Sequence, residues 1–424
     1  MKGRTPHMRL PTWALPSDTL TLRQRRIVLL MAMASMSAAF TNTLFTQTVA
    51  YAADEFGIAT SGQGIGAAVV RWGILICLPL VVLADRRGRR PMILVVAWVA
   101  PIVCALGAIA PSFPALVATQ TIGRPLGLTL DILIAVIAIE EMPKNSRAFA
   151  TGLLAMFSGF GAGTAVMALP LADLGERSWR LVYLITLIWL GVAVALTKWL
   201  PESQRFEKQY TVFSTRHLRK LPALRRNLGR ICTVVFLTNL YIATASIFQN
   251  RYLKDARGYS ALLVALFTIA TSLPAGLGLL AGGRIADERG RRILGATMVP
   301  LGALLMALSF VVSGPTMWFV AIAGGLAFGL SYPAMAVYRG ELFPTHVRSI
   351  AGGIIMTSAL IGGSIGLIGG GYVLDTGIKY GTVMLWLALG PVIASLIVWF
   401  RYPETAHMEL EDIVPDDVDT PTTR

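Results

Sequence analysis

Two short charged stretches decide the fold: ADRRGRR at residues 84–90 and ADERGRR at residues 286–292. They lie 202 positions apart in a chain of 424 residues that is 55% hydrophobic and only 14% charged. Soluble domains usually carry roughly 25% charged residues. We therefore interpret the two stretches as connections between membrane-spanning helices, written twice because the chain contains two copies of one bundle.

The apolar runs around these stretches are each about as long as the ~20 residues that a helix needs to cross a bilayer. A signal peptide is the alternative for the first run, but the run exceeds the ~7–15 apolar residues of such a peptide, which favours a retained helix. The predicted spans are 27–51, 61–84, 91–110, 114–139, 147–169, 180–199, 231–252, 261–283, 293–312, 317–338, 350–371 and 381–401. The predicted fold class is an all-α membrane protein with twelve transmembrane helices in two six-helix pseudo-symmetric bundles.

The predicted domain organisation follows these spans. The N-terminal bundle occupies 27–199 and the C-terminal bundle 231–402. A cytoplasmic segment, 1–26, precedes them, a cytoplasmic linker, 200–230, separates them, and a cytoplasmic tail, 403–424, ends the chain.

The net charge of +14 suggests a nucleic-acid partner at first. The basic residues, however, sit in short clusters between apolar runs, so we predict no nucleic-acid binding. With the N-terminus in the cytoplasm, 29 of the 37 lysines and arginines fall on the cytoplasmic side and 6 on the other. This bias predicts a multi-pass protein of the cytoplasmic (inner) membrane with both termini in the cytoplasm.

A second repeat supports duplication. EEMPKNSR at 140–147 and ELFPTHVR at 341–348 share the pattern E-x-x-P-x-x-x-R, offset by 201 residues. Two unrelated patterns at nearly the same offset indicate two homologous halves.

GRIADERGRR at 283–292 resembles the signature loop of the major facilitator superfamily, and the first copy departs from it at Val81, where a glycine is expected. Further matches resemble the sugar porter family and its metabolite-transporting relatives. They are Gly123-Arg124, Trp179-Arg180, PESQRF at 201–206 and PET at 403–405. The resemblance implies a secondary transporter that works by alternating access around a central cavity.

The resemblance also implies that the charged loops form a cytoplasmic gate, which closes that side when the protein faces outward. The alternative is that the basic residues only set the topology. The predicted gate residues are Asp85, Gly88, Arg89, Glu140, Arg147, Asp287, Gly290, Arg291, Glu341 and Arg348.

Three ionisable residues fall inside predicted spans: Arg71, Arg124 and Asp131. A charge at the bilayer centre costs about 2.5–3.5 kcal/mol even on the insertion scale, so such residues usually mark a binding site or an ion pathway. Arg124 and Asp131 are seven residues apart and share a helix face, about 10 Å apart along the axis. A cavity with two arginines and one aspartate would bind an anionic solute, with Asp131 exchanging protons. The alternative is a structural pair between Asp131 and an arginine.

Four polar residues in the first and seventh helices are further candidate solute contacts: Asn42, Asn239, Tyr241 and Gln249. For the three on the seventh helix, the alternative is hydrogen bonding within the helix bundle. The seventh helix lacks the paired glutamines of hexose-carrying members of the resembled family, which disfavours a hexose as the solute.

The predicted function is proton-coupled symport of a small polar organic solute, an organic anion or a sugar-like metabolite. The alternatives are a proton-driven drug or metabolite efflux pump and a non-transporting membrane sensor. No catalytic residue, metal site or cofactor is predicted, because the four histidines lie in tails or loops. No G-x-x-x-x-G-K-[ST] loop occurs, which disfavours ATP-driven transport. We expect a monomer whose partners are the solute, protons and the lipid bilayer.

Overall fold

A computed structural model describes residues 20–143, 146–201, 222–343 and 345–406. Within these ranges some side chains lie outside the description, those of residues 85, 139, 140, 147–149, 222, 223, 339–341 and 345–349. The predicted N-terminal segment falls mostly outside the described ranges, as do most of the predicted linker and tail.

The described residues contain twelve helices long and apolar enough to cross a membrane, which confirms the predicted number and order. They are α1 Leu22–Glu55, α2 Thr60–Ala84, α3 Arg89–Ile109, α4 Phe113–Ala138, α5 Ala150–Leu174, α6 Trp179–Trp199, α7 Leu224–Ala256, α8 Ala261–Arg289, α9 Arg291–Ser309, α10 Gly314–Tyr338, α11 Ile350–Asp375 and α12 Tyr380–Arg401. The connections between most of them are only a few residues long.

The largest difference from the predicted ends is at α7, which begins at Leu224 rather than at residue 231. Arg225, Arg226 and Arg230 lie in the added turns. Arginine is a good helix former, and its long side chain reaches the membrane surface from a helix end. The apolar pattern therefore ends before the helix does.

The expectation that the two signature stretches form loops is wrong in detail. Helical structure continues from α2 to Arg87, and α3 starts at Arg89. In the second copy, α8 ends at Arg289 and α9 starts at Arg291. Each connection is a single residue, Gly88 or Gly290, and we call these two positions the glycine joints. Arginine, alanine and glutamate extend the helix, and only the glycine breaks it.

Packing divides the chain into two compact units, which do not follow the halves of the sequence. The first unit contains Met1–Thr48 and Gly73–Tyr210, and the second contains Val49–Trp72 and Thr211–Arg424. The last turns of α1 and the first half of α2 thus belong with the second set of helices.

Polar contacts tie the start of α2 into the second unit. The carboxylate of Asp375, at the end of α11, accepts hydrogen bonds from the backbone N–H groups of Thr60 at 2.9 Å and Ser61 at 3.0 Å. These N–H groups have no partner within their own helix, and a carboxylate also complements the positive helix end. Arg251 Nη1 donates to Gln63 Oε1 at 3.0 Å.

Each unit has its own apolar core. In the first unit the fully buried members include Met31, Ile93, Ile134 and Leu196. In the second unit they include Tyr338, Phe343 and Ala351. Side chains that face lipid are as apolar as those in the two cores, so apolar residues do not mark a site. The polar residues inside the spans are the ones that need a functional explanation.

Candidate functional site

Arg71 lies on α2 within the second unit and is half-buried. Its Nη2 donates a hydrogen bond to Asn239 Oδ1 on α7, with 3.4 Å between the two atoms. Its Nε is buried and has no hydrogen-bond partner in the described part of the chain. No Asp or Glu among the described residues forms an ion pair with Arg71. Arg71 is thus a half-buried cation, with a fully buried Nε, that faces a neutral amide.

The surroundings of Arg71 are built from α7 and α11. Asn239 Nδ2 donates to the backbone carbonyl of Val235 at 3.0 Å, which orients the amide so that its oxygen faces Arg71. A Cβ on Gly363 of α11 would lie 3.0 Å from Arg71 Nη2. One residue further along each helix, Trp72 Nε1 donates to Ser364 Oγ at 2.9 Å. The guanidinium therefore packs against the backbone of α11.

The other two candidates on α7 do not join this group. Tyr241 is 0% exposed, and its hydroxyl has no hydrogen-bond partner among the described residues. It is two positions from Asn239, which places it about 200° around the helix. Gln249 is half-buried and lies about 15 Å further along the axis. Of the α7 candidates, only Asn239 contacts Arg71.

Asp131 lies on α4 in the first unit, where its Oδ1 accepts a hydrogen bond from Ser35 Oγ of α1 at 3.1 Å. The predicted alternative, an ion pair with an arginine, is absent from the described residues. Two turns earlier on α4, Arg124 is within electrostatic reach of the Cys104 thiol of α3. The seven-residue spacing thus places Arg124 and Asp131 on one helix without pairing them.

Asn42 of α1 lies between these two levels. Its Oδ1 is 3.4 Å from the position that a Cβ on Gly127 would occupy, and Gly127 is between Arg124 and Asp131 on α4. This oxygen is buried and has no hydrogen-bond partner within the described residues. Ser35 and Asn42 of α1 thus lie beside Asp131 and Gly127 of α4, whereas the described neighbour of Arg124 is on α3.

The second glycine joint carries a defined charge network. Glu404 Oε1 accepts from the backbone N–H of Arg291 at 2.8 Å, and Oε2 accepts from that of Arg292 at 3.1 Å. Asp287 Oδ1 lies 3.0 Å from Arg291 Nη2 and forms an ion pair with it. Glu404 thereby caps the start of α9, where free N–H groups and the helix dipole both favour an anion.

At the first joint the described contacts are different. Arg90 Nε donates to the carbonyl of Leu200 at 2.6 Å and Nη2 to that of Thr197 at 3.4 Å, both at the end of α6. Arg89 is half-buried. The side chains of Asp85, Glu140, Arg147, Glu341 and Arg348 lie outside the described residues, so the cytoplasmic gate stays a prediction.

Sequence reasoning missed two of these contacts. Asn239 was predicted as a solute contact, not as the partner of Arg71, because 168 residues separate them. Glu404 belongs to the PET pattern, yet nothing in its spacing pointed to the start of α9. Asp287 and Arg291 were predicted and do contact each other, since they are four residues apart across the joint.

Twelve apolar helices with ionisable side chains inside the spans define a multi-pass membrane protein. The Major Facilitator Superfamily model matches residues 29–292 and 231–415, which together extend over most of the sequence. The chain belongs to the Major Facilitator Superfamily, as the signature loops predicted.

Individual relatives are more distant. The chain is 26% identical over 299 residues to the sialic acid transporter NanX of Escherichia coli, covering 66% of this chain and 70% of that one. It is 25% identical over 260 residues to the shikimate transporter of Escherichia coli, covering 52% of this chain and 55% of that one. A metabolite transport protein of Haemophilus influenzae is matched over 65% of its length, so the chain spans about two-thirds of such relatives.

The fold is shared with a solved structure, the inward open conformation of the xylose transporter XylE from Escherichia coli. The TM-score is 0.73 at 17% sequence identity, covering 92% of this chain and 99% of that one. At this identity the likeness establishes the fold alone.

Proposed function

We propose that the protein is a secondary transporter that moves a small organic anion, a carboxylate, across the cytoplasmic membrane together with protons. It does so by alternating access, with both termini in the cytoplasm. The observation that carries this proposal is the guanidinium of Arg71, half-buried inside a span with a fully buried Nε, which has no counter-charge among the described residues.

A buried charge that lacks a partner is costly, and in a membrane span the cost is about 2.5–3.5 kcal/mol or more. Such an arrangement persists when a bound ligand supplies the missing charge. Arginine is the side chain best suited to a carboxylate, because its planar fork donates two parallel hydrogen bonds. A neutral sugar would leave the charge of Arg71 uncompensated.

The relatives support the same class of solute. Sialic acid and shikimate, named for two transporters that resemble this chain, both carry a carboxylate at neutral pH. Coupling to protons then needs a group that exchanges them.

Asp131 is the group that we assign to proton exchange. Its described partner is the hydroxyl of Ser35 at 3.1 Å, which can donate to a carboxylate and accept from a carboxylic acid. The partner therefore serves both protonation states of Asp131. An arginine in the same place would favour the ionised state alone.

Purified protein in proteoliposomes tests the proposal. With an alkaline interior, we expect accumulation of at least one of labelled N-acetylneuraminate, shikimate and benzoate, and none of xylose. Asp131→Asn should lose accumulation driven by the pH gradient, yet keep exchange of labelled for unlabelled solute. Uptake of xylose alone would contradict an anionic solute. Accumulation driven by the pH gradient in Asp131→Asn would contradict the role of Asp131 in proton exchange.

A further inference from the structure

The geometry points to Arg71 as the carboxylate-binding residue, with Asn239 as the residue that positions its guanidinium. This inference rests on the proposed function and deepens it. It assigns the contact to one side chain of the second unit and gives Asn239 a role other than touching the solute.

The geometry of the Arg71 guanidinium explains how one neutral acceptor, Asn239, can position it and leave donors for a carboxylate. A guanidinium has five N–H groups and two edges that can hold a carboxylate by two bonds, and both edges include Nη2. Asn239 Oδ1 takes one N–H of Nη2. One edge is thereby occupied and the other stays complete. Nε has no partner among the described residues, so they do not use all the donors.

A hydrogen bond within α7 fixes the orientation of the Asn239 amide. Its Nδ2 donates to the Val235 carbonyl at 3.0 Å, within the same helix. The oxygen is therefore the atom left to face Arg71. The amide acts as a fixed acceptor and adds no negative charge, so the cation stays available to a ligand.

The backbone of α11 also lies close to the guanidinium. A Cβ on Gly363 would come within 3.0 Å of Nη2 and 3.2 Å of Cζ, tighter than ordinary contact. Glycine allows α11 to approach this closely. The hydrogen bond to Asn239 and the close backbone at Gly363 both restrict the planar group, which lowers the entropic cost of binding a planar carboxylate.

Asn239→Asp is the decisive variant, because it keeps the size of the side chain and supplies the missing negative charge. Like Asn239→Ala, it loses the donor to the Val235 carbonyl, so the alanine variant is its matched control. Without any ligand, we expect the unfolding midpoint of Asn239→Asp in detergent to lie above that of Asn239→Ala. A charge-neutral structural role for Asn239 predicts that the aspartate variant unfolds no later than the alanine variant.

Binding provides the second readout, with N-acetylneuraminate, shikimate and benzoate as probes and thermal stabilisation as the signal. For the carboxylate that the natural protein binds, Asn239→Asp should weaken affinity on the order of 10–100-fold, as expected for loss of a charge-assisted pair. Asn239→Ala should raise KM several-fold with little change in kcat. Arg71→Lys, which keeps the charge but not the fork, should weaken binding about 10-fold.

The outcomes separate this inference from the proposed function. If the natural protein binds a carboxylate and Asn239→Asp binds it equally well, Arg71 is not the contact and the proposed function stands. If the natural protein binds none of the three acids but binds xylose, both are overturned. A fall in the unfolding midpoint of unliganded Asn239→Asp, matching that of Asn239→Ala, also overturns the inference.

Discussion

The two glycine joints have nearly the same backbone, and the contacts described beside them come from a carboxylate in one case and a guanidinium in the other. Gly88 has φ 106° and ψ 145°, and Gly290 has φ 102° and ψ 133°. At Gly290 a carboxylate, Glu404, binds the free N–H groups at the start of α9. At Gly88 a guanidinium, Arg90, binds free carbonyls at the end of α6.

Both solutions obey the same rule. The start of a helix is positive and offers unpaired N–H groups, while its end is negative and offers unpaired carbonyls. An anion suits the first and a cation the second. The comparison teaches that the duplicated sequence preserves the backbone of the joint, while the contacts described beside the two joints satisfy different helix ends, the start of α9 and the end of α6.

The largest effect is expected from replacing the glycine of the second joint. Gly290→Ala forces alanine into a region of backbone space that only glycine occupies readily, which costs about 1–3 kcal/mol. Its Cβ would also lie 2.7 Å from Glu404 Oε2. We expect a clear fall in the unfolding midpoint in detergent, with Gly88→Ala as the matched variant at the first joint.

A double variant separates the two causes. In the background of Glu404→Ala, Gly290→Ala should cost less than it does alone, because the clash with the carboxylate is gone. If Gly290→Ala unfolds at the same midpoint as the natural protein, the joint does not need glycine.

Glu404→Ala comes next. It removes the acceptor for the N–H groups of Arg291 and Arg292, comparable to loss of a helix cap, and should cost about 1–2 kcal/mol. Glu404→Gln keeps one acceptor oxygen and should fall between the alanine variant and the natural protein in thermal unfolding. If Glu404→Ala unfolds at an unchanged midpoint, capping of α9 by Glu404 does not stabilise the fold.

Arg90→Met tests the first joint and should have a smaller effect. It keeps much of the aliphatic stem but loses the donors to Leu200 and Thr197, which we expect to cost about 1 kcal/mol. Arg90→Lys keeps the positive charge at the end of α6 and should lose only part of this in the same assay. If the lysine and methionine variants unfold together, the charge at this helix end contributes nothing.

The smallest effect is expected from Arg284→Ala. Arg284 pairs with Glu288 at 2.7 Å on α8, yet 84% and 58% of the two side chains are exposed. Exposed pairs contribute little because water and salt screen them. No resolvable shift of the midpoint should be seen, and a shift as large as that of Arg90→Met would show that exposure does not decide the ranking.

Much of the fold was predictable from the sequence. The twelve spans follow from apolar length, because a helix that crosses a bilayer needs a set number of uncharged residues. The duplication follows from two charged patterns at nearly equal offsets. The ends of α7 and α8 were less predictable, since arginine-rich turns continue a helix after the apolar pattern has stopped.

The candidate site was predictable as a set of residues but not as contacts. Arg71, Arg124 and Asp131 stand out because charges are rare inside spans. A cavity shared by the three stays a prediction, while the contacts are those of Arg71 with Asn239 in the second unit and of Asp131 with Ser35 in the first.

The sequence by itself determined the number of helices, their duplication and which residues are costly to bury, because these depend on local composition and spacing. Only the tertiary structure decided that the first half of α2 packs with α7 and α11, and that Arg71 meets a neutral amide there. The physical reason is that such contacts join residues far apart in the chain, and their geometry depends on how closely the helix backbones approach each other.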